Sequence, residues 1–92
     1  MTFEWDEAKN RANLKNHGLD FESARLVFSD PLALLLPDPG SHGEERWRII
    51  GRIGEYFVAL VVFTIRDDGA EVYRIISARR VTAHERKAYE ES

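Results

Sequence analysis

Tyr56–Ile65 reads Tyr-Phe-Val-Ala-Leu-Val-Val-Phe-Thr-Ile and is the longest apolar run in the chain. Such a run is half of what a membrane helix requires, and β-branched and aromatic side chains dominate it, so it reads as a central strand. Its neighbours supply the sheet. Arg46–Ile53 alternates, with Trp47, Ile49 and Ile53 on one face and Arg46, Arg48 and Arg52 on the other. Gly54-Glu55 makes a tight connection into Tyr56–Arg66, and Asp67-Asp68-Gly69-Ala70 is a hairpin signal of the Asp-Gly kind. The last strand, Glu71 to about Arg79, carries Tyr73, Ile75, Ser77 and Arg79 on one face and Val72, Arg74, Ile76 and Ala78 on the other. Strict alternation therefore sends Arg74 and Arg79 to opposite faces.

The flanks read as helices and short strands. Phe3-Glu4-Trp5 alternates as a first strand. Asp6 is an N-cap, Glu7 suits the first-turn dipole, and Gly18 stops the helix after His17. Lys9, Asn13 and His17 recur four residues apart and form one polar stripe, either a solvated face ending in a dipole-stabilised histidine or a functional row. Asp20 caps a second, shorter helix with Phe21, Ala24 and either Val27 or Phe28 facing the core, ended by Ser29-Asp30-Pro31. Leu32–Leu36 is an apolar strand, and Pro37–Gly43, including His42, is a loop. Thr82-Ala83-His84-Glu85 is a capping box that opens a charged helix through Tyr89. The order β-α-α-β-β-β-β-α over residues 1–92 describes a single α+β domain, a mostly antiparallel sheet with helices packed on one face.

Charge narrows the function. The net charge is −3, but residues 1–45 carry four Lys/Arg against nine Asp/Glu, while residues 46–92 carry nine against seven. From Arg74 to Lys87 the cations Arg74, Arg79, Arg80, Arg86 and Lys87 stand against Glu85 alone. A local patch of this kind binds polyanions even on an acidic protein. Cysteine is absent, and no apolar segment suits export or a membrane span, which points to the cytoplasm. His17, His42 and His84 sit apart without ligand-like spacing, and no Gly-rich phosphate loop occurs, so neither a metal nor another cofactor is expected. Guanidinium groups remain the chemical resource, either paired with the chain's own carboxylates or free to bind phosphate.

Phe3-Glu4-Trp5-Asp6, Lys9, Asn13 and Lys15-Asn16-His17-Gly18 resemble the opening of the BrnT toxins. Phe21 with Ala24 and Val27-Phe28, Glu45-Arg46 with Gly51, and Arg74-Ile75-Ile76-Ser77-Ala78-Arg79 followed by Glu85 and Tyr89 extend that resemblance over nearly the whole chain. It implies a RelE-like fold and a ribonuclease toxin of a type II toxin–antitoxin pair that arrests translation without a metal. The implied partner is a BrnA-type antitoxin with a ribbon-helix-helix domain, two toxins with two antitoxins, contacting operator DNA only through the antitoxin. The implied chemistry is attack of a ribose 2′-hydroxyl on the adjacent phosphate of an RNA substrate. By residue type, Arg46, Arg74 and Arg79 or Arg80 suit the cationic role, His17 or Glu45 the acid–base role and Tyr89 the leaving-group donor. Lys9, Lys15 and Arg48 suit phosphate binding. The alternative is a catalytically weak module that forms the antitoxin complex and co-represses its operon.

Overall fold

In the computed structural model, which describes residues 1–40, 45–67 and 69–92, five strands form one sheet in the order β1-β5-β4-β3-β2. The strands are β1 (Thr2–Glu4), β2 (Leu34–Pro37), β3 (Trp47–Ile53), β4 (Phe57–Asp67) and β5 (Glu71–Arg80). The helices are α1 (Glu7–His17), α2 (Phe21–Ala24), which runs on into a 3-10 turn (Arg25–Ser29), and α3 (Ala83–Glu91). The apolar run is the central strand, antiparallel to β3 and β5, and only the β1–β5 pairing is parallel. Ser41–Gly43 of the expected loop, with His42, and Asp68 of the expected hairpin turn lie outside the described residues.

The helix boundaries follow their caps. Asp6 accepts from the N–H groups of Ala8 and Lys9 at 2.8 and 3.2 Å, and Gly18 closes α1 in the left-handed region at φ 69°. Thr82 and Glu85 complete the expected capping box. The α+β class and the mostly antiparallel sheet with helices packed on it are as expected. The distribution differs in one respect: α3 takes the second face. Phe21, Ala24 and Val27 are buried against Ile49, Val61, Phe63, Ile75 and Ala78 on one face. Tyr89 of α3 packs on the other among Ile50, Val58 and Leu60. β4 alternates apolar residues toward both faces, and each needs a cover.

Strict alternation fails in β5. Phe63 pairs with Ile75 but Val62 pairs with Ser77, which leaves Ile76 as an extra residue. This bulge shifts the pleat by one position. Arg74 pairs with Thr64 and Arg79 with Leu60, and Thr64 and Leu60 share one face of β4. Arg74 and Arg79 therefore lie on the same face, correcting the opposite-face expectation.

α1 stands where β1 ends. β1 pairs with β5 only through Arg74, and beyond it the Asn13 carboxamide takes over the strand edge. Asn13 Nδ2 donates to the carbonyls of Ala78 and Leu19, both at 2.8 Å, and its Oδ1 accepts from the Ala78 N–H at 3.1 Å. Asn13 is buried, so this member of the polar stripe is a structural bond rather than a solvated side chain. Asn13→Ala would leave a buried donor and two carbonyls without partners and is expected to cost about 2–4 kcal/mol, read as a lower midpoint in urea unfolding with an unchanged m-value.

Candidate nucleic-acid interface

The face that α3 covers in part carries the arginines. Across the strands, Arg48, Val62 and Ser77 form one row, Thr64, Arg74 and Glu4 the next, and Ile50, Leu60 and Arg79 the row on the other side. Arg46 directly precedes Trp47, and the register carried one residue further sets it in line with Thr64 and Arg74. Arg46, Arg48, Arg74 and Arg79 thus share one face, the first two on the β3 side of β4 and the last two on β5. Arg80 pairs with Ala59 and belongs to the opposite face, where its guanidinium stacks 4.6 Å from the Phe57 ring centre.

The carboxylates on this face are committed. Asp38 accepts from Arg48 Nε at 3.0 Å. Glu4 accepts from Arg66 Nε at 2.9 Å and lies 3.4 Å from Arg74, so it serves two cations. The hydrogen bond from Arg66 holds Glu4 below the usual carboxylate range. Arg79 grips Glu85 through both terminal nitrogens at 2.8 and 2.9 Å, and Glu85 Oε1 also accepts from the Thr82 N–H. That bidentate pair is the main reason the Glu85 pKa falls to about 2 and the Arg79 pKa rises. Among the described residues Arg46, Arg48, Arg66, Arg74 and Arg79 face four carboxylates, Glu4, Asp6, Asp38 and Glu85, so this surface keeps a small excess of positive charge. Arg74 makes one loose ion pair, 3.4 Å from Glu4, and lies near Asp6, while Arg46 meets no carboxylate among the described residues, only the Gly40 carbonyl at 3.4 Å.

The other candidates scatter. Lys9 and His17, one turn on either side of Asn13, share its helix face and border β5, whereas Lys15 falls on the far side of α1. Glu45 is exposed and precedes Arg46, so alternation turns it toward the opposite face. Tyr89 is buried, and its hydroxyl donates to Asp30 Oδ2 at 2.6 Å. Burial, then the Asp30 carboxylate, pushes the phenol pKa up. Among the described residues no three His, Asp or Glu side chains gather as a metal site. No helix among the described residues is long and apolar enough to cross a membrane. Sequence reading missed Glu85 as the partner of Arg79, although its capping-box position was the available signal, and it missed the bulge, for which nothing in the local residues is diagnostic.

The family model described as "Ribonuclease toxin, BrnT, of type II toxin-antitoxin system" matches residues 5–85. The crystal structure of the Brucella abortus ribonuclease toxin BrnT is similar at 28% identity with a TM-score of 0.67, covering 89% of this chain and 97% of that one. Among curated protein sequences none matches.

Glu85 ionises far below an ordinary carboxyl, so its contribution to stability is complete above about pH 5 and fades as pH falls toward 2. With screening at the partly exposed Arg79, Glu85→Gln is expected to lose about 1–2 kcal/mol at pH 7 and to unfold with a shallower acid limb than the parent chain, measured by urea midpoints from pH 7 to 2.

Proposed function

The chain belongs to the BrnT family of ribonuclease toxins of type II toxin–antitoxin systems, and from that premise we propose that its arginine face is where RNA is bound and cleaved. The observation that carries this reading is the Ile76 bulge, which sets Arg74 and Arg79 on the same face as Arg48, opposite α2 and the 3-10 turn. A folded phosphodiester needs closely spaced cations as charge builds on the phosphorane, and a rigid sheet holds them without reorganisation. Arg74 is the group we assign to the scissile phosphate, with Arg46 and Arg48 on the flanking backbone. Arg79, held by Glu85, is assigned to positioning. Lys9, in the first turn after the Asp6 cap that neighbours Arg74, supports the strand along the β5 edge, and His17, one turn past the Asn13–Ala78 bond, is assigned to backbone contact at the Arg79 end of β5.

The reaction is a 2′-hydroxyl attack with departure of the 5′-oxygen, independent of a divalent metal, and its consequence is arrested translation. The toxin acts in the cytoplasm and is neutralised by a BrnA-type ribbon-helix-helix antitoxin in a complex of two toxins and two antitoxins, with operator contacts made by the antitoxin. A second reading draws on the same geometry. Arg48, Arg74 and Arg79 each already meet a carboxylate of the chain, which suits a module that binds its antitoxin and cleaves RNA poorly.

Incubation of the purified chain with labelled RNA in EDTA decides between them. Cleavage that persists in EDTA and falls about 100-fold in Arg74→Ala, with an unchanged circular dichroism spectrum, fits the first reading. Intact RNA at high protein concentration fits the second.

A further inference from the structure

The face opposite the arginines is only partly covered by α2 and the 3-10 turn. Beyond them an open groove of about 280 Å³ runs between Phe28, Leu35, Trp47, Ile49, Phe63, Ile65 and Tyr73. Its floor is the aromatic cluster in which Phe28, Phe63 and Tyr73 rings sit 4.9–5.9 Å apart. Leu35 and Ile65 on its rim are 54% and 42% exposed. Isolated exposed apolar residues need no explanation, but two of them bounding an aromatic-floored groove mark an interaction surface.

Charge says what chemistry fits it. Ile65 pairs with Tyr73, and the next pair on the same face is Asp67 with Glu71. Two carboxylates thus stand directly opposite each other at the open end of the groove, an unfavourable arrangement within the chain. Among the described residues neither is paired with a cation, and Glu71 accepts only from the Tyr73 hydroxyl at 3.4 Å. A partner segment with apolar side chains and a basic end would fill the groove and neutralise that pair.

The backbone says what shape fits it. The bond from Asp38 N–H to the Arg46 carbonyl sets the parity of β2, so Leu35 and Pro37 turn their outer backbone groups away from β3. Pro37 has no N–H, which leaves the edge poorly equipped to accept another strand. The docking is therefore by side chains into the groove. We propose that this groove receives an amphipathic helix of the antitoxin, its apolar face on Leu35, Trp47 and Ile65 and a Lys- or Arg-bearing end over Asp67 and Glu71. The inference rests on the antitoxin that family membership implies, not on the cleavage assignment. Groove and arginines are on opposite faces of the sheet, so the two readings fail separately.

The test is calorimetric titration of the purified chain with a purified BrnA-type ribbon-helix-helix antitoxin. Leu35→Lys and, separately, Glu71→Lys are each expected to weaken binding about 10- to 100-fold. Glu71→Lys should also flatten its salt dependence, and both variants should keep the parent's RNA cleavage and its thermal midpoint within a few degrees. Glu71 is exposed and outside the core, so its variant remains informative even if Leu35→Lys is poorly folded. Parental affinity in Glu71→Lys, or loss of binding in Arg74→Ala instead, overturns the proposal. So does a chain that is dimeric on its own and becomes monomeric in Leu35→Lys, because the groove is then filled by a second copy.

Discussion

Beyond Arg74, no strand among the described residues lies on the outer side of β5, and the Asn13 carboxamide stands in for one. An amide side chain has the same donor and acceptor as a peptide group, so it can bond both the N–H and the carbonyl of Ala78 as a neighbouring strand would. The third bond, to the Leu19 carbonyl, ties the end of α1 and the start of the next segment to the same point. The position of α1 along the outer edge of β5, and with it the placement of Lys9 and His17 on that edge, depends on this one residue.

A second fixed point lies at the other side of the sheet. β2 pairs with β3 only as far as Ile50, and Asp30 completes the exposed edge by accepting from the Arg52 N–H at 2.8 Å. The same oxygen accepts from Tyr89, which reaches round from the opposite face. Burial works against the Asp30 charge, but the hydrogen bonds from Tyr89, Leu32 and Arg52 outweigh it and keep its pKa low. Gly51 belongs to this junction. A Cβ there would come within 2.7 Å of Val27 Cγ1 and 3.1 Å of the Val27 carbonyl, so the close seating of the 3-10 turn on β3 requires its absence. Asp30 and Tyr89 thus join two layers that touch opposite faces of one sheet.

Much of this was legible in the residues themselves. The caps at Asp6, Gly18, Asp20 and Thr82 marked helix ends because a polar side chain or a left-handed glycine satisfies groups that no other local arrangement does. The central strand was legible from its apolar density. What escaped was non-local. A polar stripe of Lys9, Asn13 and His17 looks solvated unless one knows that a strand edge lies against its middle. Tyr89 has the chemistry of a proton donor, and only its burial against Ile50 and Leu60 reveals its packing role. The Arg79–Glu85 pair spans a strand end, a turn and a helix start, a path whose geometry no periodicity encodes.

The bulge at Ile76 has an evolutionary consequence. Arg74 and Arg79 are five residues apart, an odd spacing that a regular pleat would split between the two faces, and the extra residue at Ile76 restores the parity. Loss of that one codon would leave a regular strand with the two arginines four apart, again on one face and with the net charge unchanged. Straightening the bulge without losing a residue would instead put the thickness of the sheet between them. A lineage could therefore shorten β5 at this point and keep the cluster, whereas a change that flattened the strand at its present length would disperse it with every charge still in place.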